Sequence, residues 1–289
     1  MSIQVAKLKE FRGHTQAIYT MAASGKPGYF YSAGADGMVV LWHIEEDDGL
    51  LVARSEQPVY SICKTETYLF FGSNNGLLTV LQADNHQLVK QLIIGESPIF
   101  DIVQHEEKIY LALGNGQIVV LDKNLSIIKT ISLSQKSIRK IHIHQGNKWV
   151  GASDGYLRLL NEKDEKIQEF KAYEQSVFAI ASRHQTVLSG GRDAVIKVLE
   201  NNEFVKTINA HWYHINDIQY NAEQTLFATA SLDKSIKIWD AENFELLKVI
   251  ERPKSQAHQS SVNKILWIER NRFISCSDDR TLMCFEIIE

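Results

Sequence analysis

The stretch Thr225-Leu-Phe-Ala-Thr-Ala-Ser-Leu-Asp-Lys-Ser-Ile-Lys-Ile-Trp239-Asp240 is two alternating apolar runs joined by a short polar turn around Asp233. Alternation with period two puts successive side chains on opposite faces of a strand, and β-branched and aromatic residues dominate both runs. The segment therefore predicts an antiparallel pair of strands. Runs of the same character at 214–220 and 244–250 predict two more, making a unit of four.

The internal spacing of this unit is an Asp or Asn in a turn and a large apolar residue six positions later. It occurs seven times: Asp36 with Trp42, Asn75 with Leu81, Asn115 with Leu121, Asp154 with Leu160, Asp193 with Leu199, Asp233 with Trp239, and Asp279 with Phe285. Successive turns lie 39, 40, 39, 39, 40 and 46 residues apart. A period near 40 that holds four short strands, with no helical periodicity of comparable length, predicts an all-β chain folded as a seven-bladed β-propeller of four-stranded antiparallel blades. Gly37, Gly76, Gly116 and Gly155 follow the turn Asp or Asn and supply the positive φ of tight hairpins. The repeats are expected at about 13–51, 52–91, 92–130, 131–170, 171–208, 209–250 and 251–289, within a single propeller domain over 1–289. The seventh has room for only three strands. Residues 5–11 resemble the outer-strand run 244–250, so an N-terminal strand at about 3–12 is expected to complete the last blade and remove an open sheet edge.

Gly13-His14, Ser32, Asp36 and Trp42 in the first unit, and Ala210-His211, Thr229, Asp233 and Trp239-Asp240 in the sixth, resemble the WD-repeat β-propeller family over nearly the whole chain. The resemblance implies a hydrogen-bonded set of His, Ser or Thr, Asp and Trp inside each blade, complete at His14, Ser32, Asp36, Trp42 and at His211, Thr229, Asp233, Trp239. The seventh unit keeps His258, Ser275 and Asp279 but has Phe285 in the Trp position. The fifth keeps Ser189 and Asp193 with Tyr173 in the His position. Units two, three and four carry Ser55, Gly95 and Ser134 there, so those blades are expected to rely more on apolar packing. These polar sets read as structural: buried groups that satisfy one another hold a turn in place without doing chemistry.

Hydrophobic content of 44% is that of an ordinary globular chain, and no run approaches the roughly 18 apolar residues of a membrane span. The first residues lack the pattern of a signal peptide, so a cytoplasmic location is expected. Cys63, Cys276 and Cys284 form neither an even disulfide framework nor a metal-binding spacing. The net charge of −4, with both signs scattered, offers no basic footprint for nucleic acid.

The sequence contains no HExxH and no phosphate loop. Gly114-Asn-Gly116 reads as a hairpin turn, since no helix follows it. His142 and His144 alternate on one strand face, but two imidazoles without a Cys or carboxylate at ligand spacing make a plain strand face the expected reading. The acidic run 45–48 reads as a solvated loop. No catalytic residue, metal or cofactor is assigned; His214 and Asp278 are the one titratable pair placed near the channel.

In a propeller the first strand of each blade lines the central channel, and it begins on the face that carries the turns between second and third strands. By the resemblance, that face is the one WD-repeat proteins most often use to bind peptides. The residue after the first apolar anchor of each inner strand is Tyr19, Tyr60, Phe100, Arg139, Phe178, Asn216 or Asn263. Rigid aromatics and Arg are the residue types that dominate interface hot spots. Arg192 and Asp278, just before their turns, share the face, and Arg139 and Arg192 would clamp an anion or carboxylate. The aromatics have an alternative, packing sideways in the seams between blades; Arg139, Asn216 and Asn263 in the same column favour a solvent-facing mouth. The expected function is a non-enzymatic scaffold that binds a protein or peptide there, as a monomeric propeller inside larger complexes, with no nucleic acid and no membrane as partner. The alternative is a small-molecule-binding or enzymatic propeller that uses the same mouth.

Overall fold

The computed structural model describes residues 3–252 and 254–288. Among these residues the chain forms seven four-stranded antiparallel sheets and no helix. In the first six sheets the spatial order follows the chain; blade one is Ile18–Ala23, Tyr29–Gly34, Met38–His43 and Leu50–Arg54. The seventh is closed by the chain start: Gln4–Arg12 lies antiparallel to Thr281–Ile288, outside Arg272–Ser277 and Val262–Trp267. First strands of neighbouring blades touch in a complete circuit, with Val262–Trp267 meeting Ile18–Ala23. The turns take the left-handed backbone expected at Gly37, Gly76, Gly116 and Gly155; Ala194, Lys234 and Arg280 adopt it without glycine in blades five to seven. The loop between the sixth and seventh blades is pinned by the Arg252 Nε–H donating to the Ala257 carbonyl at 2.9 Å, while Pro253 within it lies outside the described residues.

Burial follows the seams. Tyr31, Ala33 and Val39 of blade one pack with Val59, Ile62, Leu69 and Phe71 of blade two, and each further seam repeats the arrangement. The outer strands stay wet, with Leu50, Leu88, Ile127 and Ile167 exposed. At the closure, Phe11 is 1% exposed and its ring meets Phe30 at 5.5 Å and Trp42 at 5.7 Å in edge-on geometry. The N-terminal strand thus completes blade seven by backbone pairing and bonds to blade one by packing.

One irregularity recurs. In every blade the ladder between first and second strands slips by one residue, between Ile18 and Thr20, Val59 and Ser61, Ile99 and Asp101, Ile138 and Lys140, Val177 and Ala179, Ile215 and Asp217, and Val262 and Lys264. A bulge leaves one residue outside the ladder and re-aims its side chain.

Phe11→Ala should lower the free energy of unfolding by about 3–5 kcal/mol, the usual cost of emptying a buried aromatic site. Leu88→Ala, on an exposed outer strand, should cost less than about 0.5 kcal/mol. Urea titration of both variants checks this; equal effects would mean that the N-terminal strand does not lock the ring.

Candidate functional site

The seven bulged residues are Tyr19, Tyr60, Phe100, Arg139, Phe178, Asn216 and Asn263, each following an anchor that is fully buried. They are half-buried and line one cavity of about 290 Å³ at the channel mouth. Tyr19 stacks on Tyr60 at 5.1 Å and Tyr60 meets Phe100 at 5.4 Å. The Arg139 guanidinium carbon sits 3.8 Å from the Phe100 ring centre and 5.2 Å from that of Phe178, which in turn meets His214 at 5.4 Å. The result is one continuous arc of π faces with a cation in the middle. Burial pulls the Arg139 pKa down to about 10, still charged at neutral pH. Burial, then the positive charges of Arg192 and Arg139, lowers His214 from its ordinary value, so its ring is neutral there.

The two asparagines do something else. Asn216 Nδ2 donates to Val262 O at 2.8 Å and to Ser261 Oγ at 3.0 Å, and Asn263 Nδ2 donates to Ile18 O at 2.9 Å and to Asp278 Oδ1 at 2.7 Å. They tie blade six to seven and seven to one, so this side of the mouth is held by amides while the other is paved with rings. Arg192 stands exposed at the rim.

Below the bulged ring lies a charged one that single-strand reading does not find. Lys140 Nζ pairs with Asp101 Oδ2 at 3.0 Å, and that oxygen also accepts the Ile141 backbone N–H of the next blade at 3.0 Å. Asp217 accepts the Ile265 N–H in the same way, at 3.0 Å. Each carboxylate thus satisfies a neighbouring blade's backbone donor, and Lys264 joins them in the lining. The signal for the bulge is present in the chain: every inner strand carries a buried Ile or Met three places after the anchor, as in Ile18 and Met21 or Ile215 and Ile218, where an unbroken strand would return to the same face at two. Trp212, 87% exposed, and Tyr213, 61% exposed, were not singled out by sequence either. They precede His214 on the same face, where the Trp212 N–H donates to Asp233 Oδ2 and the Leu232 N–H to the His214 carbonyl.

The blade networks grade as follows. In blade one Trp42 Nε1 donates to Ser32 Oγ at 2.8 Å, Ser32 Oγ lies 2.7 Å from His14 Nε2, and His14 Nδ1 lies 2.9 Å from Asp36 Oδ2. Blade six repeats this with Trp239, Thr229, His211 and Asp233 at 3.0, 2.7 and 2.8 Å. Blade seven keeps His258, Ser275 and Asp279 beneath a buried Phe285, which has no N–H to give. In blade five the Tyr173 hydroxyl donates to the Ser189 carbonyl at 2.7 Å. Blade four departs from purely apolar packing: Arg158 binds Asp154 through both terminal nitrogens and Glu169 through Nε, and Ser134 Oγ donates to Asp154 at 2.6 Å.

Chemistry-bearing groups elsewhere are drawn into structure. His142 Nε2 and His144 Nδ1 both bond the Ser182 hydroxyl, at 2.7 and 2.9 Å. No group of three or more His, Cys, Asp or Glu side chains suited to a metal ion occurs among the described residues. Asp278 is engaged by Asn263, and no hydrogen bond joins it to His214 among the described residues. The three cysteines are free, and no helix there is long and apolar enough to cross a membrane.

The WD domain, G-beta repeat family model matches residues 6–43, 202–240 and 250–286, the segments that carry the complete or nearly complete networks. The crystal structure of the WD40 beta propeller domain of Doa1 superposes with a TM-score of 0.86 over 98% of this chain and 97% of that one, at 17% identity. The chain thus has the fold of a WD40 β-propeller, and three of its blades match the WD-repeat model. Among curated relatives, Protein HIR1 of Phaeosphaeria nodorum is 26% identical over 156 residues, which are 46% of this chain and 14% of that protein. Eukaryotic translation initiation factor 3 subunit I of Kluyveromyces lactis is 32% identical over 96 residues, 31% of this chain and 28% of the relative. The chain matches only a small part of the length of these relatives.

The networks make stability depend on pH. Burial lowers the pKa of His142 to about 3, and burial also lowers those of His86, His211 and His214. Burial alone would raise the Asp233 and Asp279 carboxyls, but the hydrogen bonds and charges of His211 and His258 outweigh it and hold both well below the ordinary range. The folded chain therefore binds fewer protons than the unfolded one below about pH 6.5, and stability falls as pH drops. Melts should show a midpoint that is flat from pH 7 to 8, declines below about 6.5 and declines further below about 4. His142→Gln should flatten part of the first decline, and a midpoint rising on acidification would contradict the assignment.

Proposed function

We propose that this propeller is a non-enzymatic interaction platform that binds a protein or peptide at the channel mouth, chiefly by burying Tyr19, Tyr60, Phe100 and Phe178. The observation that carries the reading is the arc itself: four aromatic side chains, aimed by four separate bulges, share one cavity and are left half open. A rigid scaffold that presents rings already in place lowers the ordering cost of association. Likeness to the WD-repeat model in three blades supports a protein partner, and one relative is by its name a subunit of a larger factor. On this reading the propeller acts as a monomer inside a complex. A cytoplasmic location fits the three free cysteines.

The small-molecule alternative draws on the same cavity, whose volume is at the lower edge of ligand pockets. Its open arc of aromatic faces and the exposed Trp212 and Tyr213 beside it suit a run of residues laid across the face better than an enclosed molecule.

Affinity capture from lysate should recover proteins on the wild-type chain that are lost, at least tenfold, on a folded Tyr19→Ala, Tyr60→Ala variant. Proteins bound equally by both forms would move the interaction to another surface.

A further inference from the structure

Arg139 is the anomaly of the mouth. Its guanidinium is stacked between Phe100 and Phe178, and no carboxylate or carbonyl pairs with it among the described residues. Stacking on ring faces leaves the in-plane N–H fork free for a planar acceptor. The anions of the same cavity are already answered. Asp101 holds Lys140 and the Ile141 N–H, Asp217 holds the Ile265 N–H, and Asp278 accepts from Asn263. The mouth therefore presents a desolvated, preoriented cation without a counter-ion.

Resting on the mouth reading above, we propose that the partner is an acidic peptide segment: an Asp or Glu carboxylate docks in the Arg139 fork, and an adjacent apolar side chain lies against Trp212 and Tyr213. Three features select this chemistry. The slot between Phe100 and Phe178, where a partner's Lys or Arg would gain most from ring faces, is filled by the chain's own cation, so a basic side chain meets repulsion there. Asp101 and Asp217 in the same lining are balanced by Lys140 and Lys264, so Arg139 supplies its one net charge, which suits a singly charged carboxylate better than a phosphate dianion or a nucleic-acid backbone. On the rim, Trp212 and Tyr213 are exposed two residues and one residue before His214, whose ring touches Phe178, so apolar and cationic anchors lie along one short path.

An unpaired, partly buried charge is a stability liability, which separates a binding role from a structural one. Arg139→Gln should melt at or above the wild-type temperature. The immobilised full chain is used to select phage-displayed random dodecapeptides. Enriched peptides should share an Asp or Glu beside an aromatic or aliphatic residue. Their affinity should fall at least tenfold on Arg139→Gln, on changing that acid to its amide, and, more weakly, on Arg139→Lys. Raising the salt should weaken binding to the wild type and not to Arg139→Gln. Peptides that lack an acid, or that bind Arg139→Gln as well as wild type while losing affinity for Tyr19→Ala, Tyr60→Ala, would overturn the acidic-partner inference and leave the mouth reading standing. Peptides indifferent to all of these substitutions would overturn both, and a selection that enriches nothing, or an Arg139→Gln chain clearly less stable than wild type, would overturn the inference.

Discussion

Where the innermost strand of each blade enters the channel, its ladder to the second strand slips by one residue, and the side chain freed by that slip is the one that meets solvent at the mouth. The anchor before it must be fully buried for the slip to be held, and in all seven blades it is. The residue after it returns to the ladder and, as Asp101 or Asp217, satisfies a backbone donor of the next blade. One local mismatch thus couples seam packing, the inter-blade hydrogen bonds and the display of Tyr19, Tyr60, Phe100, Arg139 and Phe178. Because the mismatch recurs with the blade repeat, its products come together as a ring instead of scattered surface residues.

Division of labour among the blades follows from this. Blades one, six and seven carry the buried His–Asp networks, and they also bracket the closure, where Phe11 packs on Phe30 and Trp42 and where Asn216 and Asn263 tie first strands together. Hydrogen-bonded turns with acceptors held ionised are stiff, so the ring is strongest where the two ends of the propeller meet. Blades two to five lack the full network, and there the inner column is aromatic or arginine. The polar side of the mouth ties neighbouring blades together, and the aromatic side leaves its rings half open.

The architecture was legible because it rests on local rules repeated seven times. The Asp-to-Trp spacing, the turn residues and the alternating runs each specify a strand or hairpin without reference to distant residues, and the match between 5–11 and 244–250 placed the closing strand. The column of mouth residues was also legible by position. Its meaning was not, because the bulge appears only as an apolar spacing of three instead of two at the strand start. The charged ring of Asp101, Lys140 and Asp217, the engagement of Asn216 and Asn263, and the Arg158 network in blade four depend on partners that the fold alone brings near. Asn216, for example, bonds Ser261 and Val262, some 45 residues away. Exposed Trp212 carries no pattern at all, since one aromatic in a polar loop reads the same whether it is tucked in or held out.

The most direct test of the central claim is hydrogen–deuterium exchange of the full chain with and without a captured partner. Slowed exchange confined to the inner-strand entries and the loop through Trp212, with the outer strands unchanged, is the predicted result. Protection concentrated on the outer strands, with the seven entries unaffected, would show that the bulged ring shapes the channel but does not bind.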